Sequence, residues 1–322
     1  MLNGRRVSLV LGGGGLKGLA HIGVLKVLAS RGIVPDEYVG ASVGSIVAAL
    51  AAGGLLPEQI ERIALDIRRS DILDYDWKGL ILRRGRVRSL YRGIALRTWL
   101  RRVLPVDRFD RLVRPAYFTS VDVNTGEEVI WGRPAARDFP LHECVAASCA
   151  IPGIYPPMEI GGRHYIDGSL VDTLPVRAAT VGRSDLILAV YLDEVEDSPA
   201  RSIQRLGIGA ILEQAQSIVS QTLLRLRLGR FNGAPVAIIR PRVRSHGMFQ
   251  FDRTEAVIRA GEEAALRAME TEPALREATP ITRTTTRIRP APAERDMKKA
   301  GDGLPPIPGS EDLVPEGGAP TS

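Results

Sequence analysis

The chain has 322 residues, 44% of them hydrophobic, 25% charged and 5% aromatic, with a net charge of +6 and a pI near 9.6. Length and balance fit a soluble globular protein of one large or two small domains, and no apolar run approaches the length of a transmembrane helix. The basic excess points to anionic surfaces, and without zinc-ligand spacing or an aromatic-rich RNA-binding pattern it favours a solvated face or an anionic membrane over nucleic acid.

In chain order, Arg6 to Leu11 reads as a buried strand, Gly12 to Gly15 as a loop and Leu16 to Ser30 as a helix with Ile22, Leu25 and Leu28 on an apolar side. Tyr38 to Gly40 is a short second strand, and Val43 to Ala52 a buried helix ending at Gly53-Gly54. Strand, helix, strand, helix within about fifty residues predicts an α/β fold with a parallel sheet. An arginine-rich helical segment follows, with Arg83, Arg84, Arg86 and Arg88 nearly consecutive. Within it, Leu80 to Leu104 carries Tyr91 and Trp99 among apolar and arginine positions. It reads either as an amphipathic surface settling on anionic lipid or as a helical cap packed on the sheet with its arginines solvated. Further strands are expected at Ala116 to Val123, Glu128 to Trp131, Met158 to Ile160, His164 to Ile166, Asp185 to Leu192 and Pro235 to Arg240. Helices are expected at Ile203 to Leu228 and Thr254 to Glu270. Residues 5–272 thus read as the folded domain. Residues 273–322, rich in proline, threonine and glycine and poor in bulky apolar residues, read as a disordered tail.

Cys144 and Cys149 form neither a disulfide framework nor a redox pair, and the apolar run at the N-terminus is too short for a signal peptide. A reduced, cytoplasmic setting is expected, with membrane contact at most peripheral, at the inner membrane surface.

Two motifs carry chemistry. Gly40-Ala41-Ser42-Val43-Gly44 is G-x-S-x-G at a strand-to-helix junction, the context of a nucleophile elbow. Flanking glycines let the backbone bend sharply behind an exposed Ser42 Oγ, and the Val43 N–H points where an oxyanion would form. Gly13-Gly14-Gly15-Leu16-Lys17-Gly18 matches the dinucleotide fingerprint between a strand and a helix, so a Rossmann protein is a rival reading. That rival needs an acid at the end of the second strand. Asp36 and Glu37 precede the strand instead, and Gly40-Ala41-Ser42 occupies the place of the acid. The other use of Gly13, Gly14 and Gly15 is an oxyanion hole, since backbone N–H groups at a helix N-terminus are free and sterically open.

A nucleophilic serine needs a base. His21 lies within an apolar helical pattern, His142 near a helix start, His164 on a hairpin strand and His246 in an arginine-rich loop, and none is marked as catalytic. Asp167 follows a strand and precedes the tight turn Gly168-Ser169, which aims its carboxylate outward; a plain Asp-Gly turn is the alternative.

Taken together, Gly13 to Gly18, Gly40 to Gly44 and Asp167-Gly168-Ser169, with GLAHIGVLKVL and AASCAIPGIYPPMEIGGRHYIDGSLVDTLPV between and around them, resemble the patatin-like phospholipase family, particularly its bacterial members. The resemblance runs from about Val7 to Val190. It implies a three-layer α/β/α sandwich with a mostly parallel central sheet and a Ser–Asp dyad without histidine. Ser42 is then the nucleophile and Asp167 the base. Gly13, Gly14, Gly15 and Val43 form the oxyanion hole, and Lys17, Gly18, Gly40, Gly44 and Gly168 support the motifs. The implied activity is hydrolysis of phospholipid, lysophospholipid or related lipid esters through an acyl-serine intermediate, with no metal or organic cofactor. A thioesterase or small-ester hydrolase using the same dyad is the alternative. Where the family usually has Gly or Ala after Asp-Gly, this chain has Ser169, whose hydroxyl is placed to lower the basicity of the carboxylate.

Overall fold

Val7–Leu11 (β1) sends Val7, Leu9 and Leu11 into one apolar layer and Val10 into another, so the strand is buried on both faces. That is the pattern of a parallel sheet covered on both sides. The computed structural model describes residues 4–76, 89–192, 208–243, 249–272 and 275, all within the unit spanning Met1–Thr282. β1 pairs in parallel with Glu37–Ala41 (β2) and Leu186–Val190 (β7), and β7 in turn with Val236–Ile239 (β8). On the other side β2 pairs in parallel with Ala116–Asp122 (β3). Antiparallel additions are Glu128–Trp131 (β4) along β3 and the hairpin Met158–Ile160 (β5) with Arg163–Asp167 (β6).

The pairing register of β3 explains how the two halves of the site meet. β2 covers β3 up to Ala41 opposite Thr119, and β6 takes over with Asp167 opposite Ser120. β4 overlaps both stretches, pairing residues 118 to 121, so β2 and β6 lie on the same edge of β3. The two strands therefore approach end to end. The residue after β2 is Ser42 and the last residue of β6 is Asp167. A Cβ on Gly168 would lie 2.4 Å from the Thr119 carbonyl oxygen, so only glycine fits this junction.

One face of the sheet carries Ala20–Ser30 (α1), Val43–Ala52 (α2), Pro57–Asp66 (α3), the short Arg69–Ile72 (α4), Ile94–Val103 (α5), Leu141–Ser148 (α6) and, further along the chain, Thr254–Thr271 (α8). α8 crosses α1 backbone to backbone: a Cβ on Gly261 would lie 1.9 Å from the Ala20 carbonyl oxygen, and one on Gly23 2.0 Å from that of Ile258. The opposite face is covered by Leu174 to Ala179 and by the C-terminal half of Ile208–Gly229 (α7), through Leu224 and Leu228. The architecture is the expected α/β/α sandwich.

Three expectations need correction or fall outside. The first helix does not start at Leu16: Gly15–Leu19 is a 3-10 turn, and α1 begins at Ala20. The tighter turn lets the backbone of Gly18 pack on the Val43 side chain. Trp99 is not an interfacial aromatic. It is buried with Leu96 and Leu100 on the inner side of α5, while Tyr91 stacks against Tyr75 and Tyr155. The exposed arginines of α5 pair locally, Arg102 with Asp71 at 2.9 Å and Arg97 with Glu143 at 3.7 Å. Residues 80 to 88 of that stretch, His246, and residues 273–322 apart from Leu275 lie outside the described residues.

Candidate active site

Ser42 adopts φ 53°, ψ −130° at the junction of β2 and α2, a conformation rare for a residue with a side chain. The elbow closes because its flanking glycines leave no room for a methyl group. A Cβ on Gly44 would lie 2.1 Å from the Leu11 carbonyl oxygen, and one on Gly40 2.4 Å from Ser45 Cα. Ser45 braces the bend, its N–H and Oγ both donating to the Ser42 carbonyl at 2.9 and 2.6 Å.

The Ser42 side chain lies beside the Asp167 carboxylate and lowers its proton affinity. Asp167 is fully enclosed, 2% exposed, and burial pushes its pKa up to about 6 against the lowering pull of Ser42 and Ser169. The contact that holds the carboxylate is the Ser169 N–H, at 2.8 Å. Ser169 Oγ adds to the pull from close by. Buried against Gly13, it has no hydrogen bond of good geometry among the described residues. The C-terminal end of α6 and the chain just beyond it tie the pair together: Ser148 Oγ accepts the Ser42 N–H at 3.0 Å, and the Ala150 carbonyl accepts the Asp167 N–H at 3.0 Å.

The glycine loop lies against this pair. A Cβ on Gly13 would meet Ser169 Oγ at 2.1 Å and Ser42 Cβ at 3.3 Å, and one on Gly18 would meet Val43 Cγ1 at 2.1 Å. The loop's donors are not equivalent. The Gly13 N–H is spent on the Thr173 carbonyl at 3.0 Å, which corrects its expected place among free donors. Among the described residues, no backbone carbonyl accepts from Gly14 or Gly15. Val43 is the first residue of α2, where N–H groups lack intrahelical acceptors and the helix dipole is positive. Lys17 is buried in the 3-10 turn.

Ser42 opens into a narrow apolar pocket of about 80 Å³. Side chains of α2 (Ile46, Leu50), α3 (Ile60, Ile63, Ala64) and α5 (Leu96, Trp99) line it, as do Cys149 and Tyr155. The Tyr155 hydroxyl is engaged, donating to the Ile72 carbonyl at 2.8 Å, and burial keeps the Cys149 thiol protonated.

Among the described residues no histidine lines the pocket. His21 is fully buried on α1, its Nε2 2.8 Å from the Gly12 carbonyl, and burial lowers its pKa to about 4. It is a neutral packing residue under the glycine loop. His164 sits half-buried on β6, 4.0 Å from Glu159, and His142 is half-buried on α6. The dinucleotide reading loses its acid: Asp36 accepts the Val7 N–H at 2.8 Å, and Glu37 is buried with Ser8 and Ser184 at the start of β2. Among the described residues no group of three or more His, Cys, Asp or Glu is placed to hold a metal ion.

Sequence reasoning missed Ser148, Ser45 and the residues that seat the turn after Asp167. Ser148 carries no local signal, because its partner is 106 residues away.

Residues 9–180 match the family model described as Patatin-like phospholipase. An NTE family protein of Mycobacterium tuberculosis is 30% identical over 295 residues, covering 84% of this chain and 48% of that protein. Lysophospholipase NTE1 of Candida glabrata is 26% identical over 303 residues, covering 82% of this chain and 16% of that protein. The chain thus spans about half the length, or less, of these curated relatives. Among solved structures, VipD from Legionella pneumophila aligns over 83% of this chain and 67% of its own, with a TM-score of 0.46 and 13% identity.

Proposed function

Since the chain belongs to the patatin-like phospholipase family, we propose that it is a lipid acyl hydrolase working through a Ser42–Asp167 dyad. The observation that carries this reading is a serine that lines an apolar pocket and lies beside a buried aspartate with a raised pKa. A carboxylate at the ordinary pKa of 3.8 is a weak base for a hydroxyl proton, and moving it to about 6 brings it closer to working pH.

The cycle runs in two halves. Asp167 accepts the Ser42 proton as Oγ attacks the ester carbonyl, and the oxyanion is held by the N–H groups of Gly14, Gly15 and Val43. Collapse expels the alcohol, which takes the proton from Asp167 and leaves an acyl-serine. Water then attacks the acyl carbon and gives its proton to Asp167. The acid departs as that proton returns to Ser42. No step calls for a metal or an organic cofactor. The pocket lining favours a long acyl chain, hence phospholipid or lysophospholipid esters, and a lysophospholipase of Candida glabrata among the relatives is in line with this. A thioester presents the same acyl carbon and is the second substrate class to assay.

Peripheral contact with anionic lipid belongs to the same reading, on a different element from the arginine-rich stretch. Ile211, Ile218, Val219 and Leu226 are exposed on α7 with seven-residue spacings, beside exposed Arg225 and Arg230. Among the described residues no helix is long and apolar enough to cross a membrane.

Fluorophosphonate labelling of the purified chain, followed by a panel of phospholipid, lysophospholipid and acyl-thioester substrates, tests the proposal. The expected result is a label on Ser42 and ester turnover that Ser42→Ala abolishes. Retained turnover in Ser42→Ala overturns it.

A further inference from the structure

The turn after Asp167 touches both halves of the site. Within it, the Val171 and Asp172 N–H groups return to the Gly168 carbonyl at 3.1 and 3.0 Å, and Thr173 Oγ1 donates to the Ser169 carbonyl at 3.2 Å. At its far end the Thr173 carbonyl accepts the Gly13 N–H, at the start of the oxyanion loop. One side chain sets the direction of that carbonyl. Asp172, 2% exposed, accepts the Leu174 N–H on Oδ1 at 3.2 Å and so fixes the backbone on either side of Thr173. Its other oxygen is claimed from outside the turn: Arg227 of α7 donates from Nη1 to Asp172 Oδ2 at 2.8 Å. Arg227 lies one turn along α7 from Leu224, which packs on the apolar layer beneath.

We propose that Arg227 is a positioning residue, and that its ion pair with Asp172 clamps the 168–174 turn so that the base and the oxyanion loop keep one geometry. The inference rests on the dyad reading above. Arg227 touches neither Ser42 nor the pocket lining; it acts through Asp172, the Thr173 carbonyl and Gly13. Holding reacting groups within a fraction of an ångström is worth about a hundredfold in rate when lost by 1 Å. Through this contact α7, which begins 41 residues after Asp167 in the chain, governs the rate of a site it does not enter. The charged groups facing the pair are Glu128 on β4, 3.8 Å from Arg227, with Arg177 and Arg133 acting in turn on Glu128. Burial raises Asp172 to about 7, with Arg227 opposing the rise, so the clamp loosens as Asp172 takes up a proton.

The test is steady-state hydrolysis of a soluble short-chain nitrophenyl ester by the full chain. Arg227→Met, which keeps the packing of the stem, should lower kcat by about tenfold to a hundredfold with KM within about twofold. Arg227→Lys should recover most of the loss, and Arg259→Ala, a charge-matched control exposed on α8, should leave kcat unchanged. Asp172→Asn gives a readout that mere destabilisation would not move. The wild-type advantage over it should be greatest near about pH 8 and vanish below about pH 6, where wild-type Asp172 is itself protonated. An Arg227→Met kcat within about twofold of wild type overturns the proposal, as does a loss that Arg227→Lys does not rescue and that stays constant with pH. Ser42→Ala run alongside separates the two claims. Turnover in that variant defeats the dyad reading, whereas a dead Ser42→Ala with a fully active Arg227→Met defeats this inference alone.

Discussion

Replacing Asp167 by asparagine should inactivate the protein and, above neutral pH, make it more stable. The carboxyl has a pKa of about 6 in the folded chain against 3.8 as an ordinary aspartate, chiefly because it is buried. The sign follows from which state holds the proton. Below about pH 3.8 both states are protonated and burial costs nothing. Between about 3.8 and 6 the unfolded chain releases its proton first, so folding stability falls as pH rises, and above 6 the whole cost is present. A difference of about two pH units corresponds to about 3 kcal/mol. Asparagine carries no charge to bury and still offers an oxygen to the Ser169 N–H. Asp172, raised for the same reason, is present in both proteins and cancels in the difference. Urea unfolding of wild type and Asp167→Asn from about pH 4 to 8 should show a stability difference growing from near zero to about 2–3 kcal/mol in favour of the variant. A gain that is flat with pH, or absent at about pH 8, would refute the claim that burial and not a charge partner sets this pKa.

Other expectations test other parts of the site. Gly44→Ala places a methyl carbon 2.1 Å from the Leu11 carbonyl oxygen, on backbone that cannot yield, and should cost about 3 kcal/mol in urea unfolding along with most of the activity. Ala64→Phe, projecting into the pocket from α3, should lower kcat/KM for long-chain esters about tenfold or more while short esters stay within about twofold; a uniform loss would count against this pocket as the acyl site. Ile218→Asp with Val219→Asp should weaken co-sedimentation with anionic vesicles and leave hydrolysis of soluble esters intact; unchanged vesicle binding would remove α7 from the membrane reading.

What could be read from the sequence was what the backbone must do locally. Gly40, Gly44 and Gly168 stand where a Cβ would collide with backbone, and Ser42 where the chain bends through a positive φ, so these positions leave a mark in the letters themselves. The strands were legible for a similar reason, since β1 and β7 are buried on both faces and read as nearly continuous apolar runs. Contacts between distant segments leave no such mark. Arg227 is 55 residues from Asp172, and an arginine on an amphipathic helix looks the same whether it faces water or a buried carboxylate. Trp99 failed in the opposite direction. Amphipathic spacing identifies an apolar face but not what covers it, and the inner face of α5 is turned toward the pocket. The same limit applies to Gly13, because a glycine run announces open N–H groups without saying which of them a later carbonyl, here Thr173, will occupy.

That no histidine among the described residues reaches this site follows from how the sheet is put together. A histidine base is commonly carried on a loop long enough to reach over the serine, with a carboxylate behind it to fix its tautomer. Here β2 and β6 run toward each other along one edge of β3, and their last pairs fall on adjacent residues, Thr119 and Ser120. That register brings a strand-end carboxylate directly to the serine and leaves no gap for an imidazole. Direct contact alone would give a poor base, since an aspartate in water holds a proton too weakly. The same closure that excludes the imidazole also excludes water, and the desolvation raises the carboxylate toward the range in which it can accept and return a proton at neutral pH. Geometry and basicity therefore come from one cause. A change that lets water reach Asp167 should lower its pKa and slow proton transfer even where Ser42 keeps its place beside it.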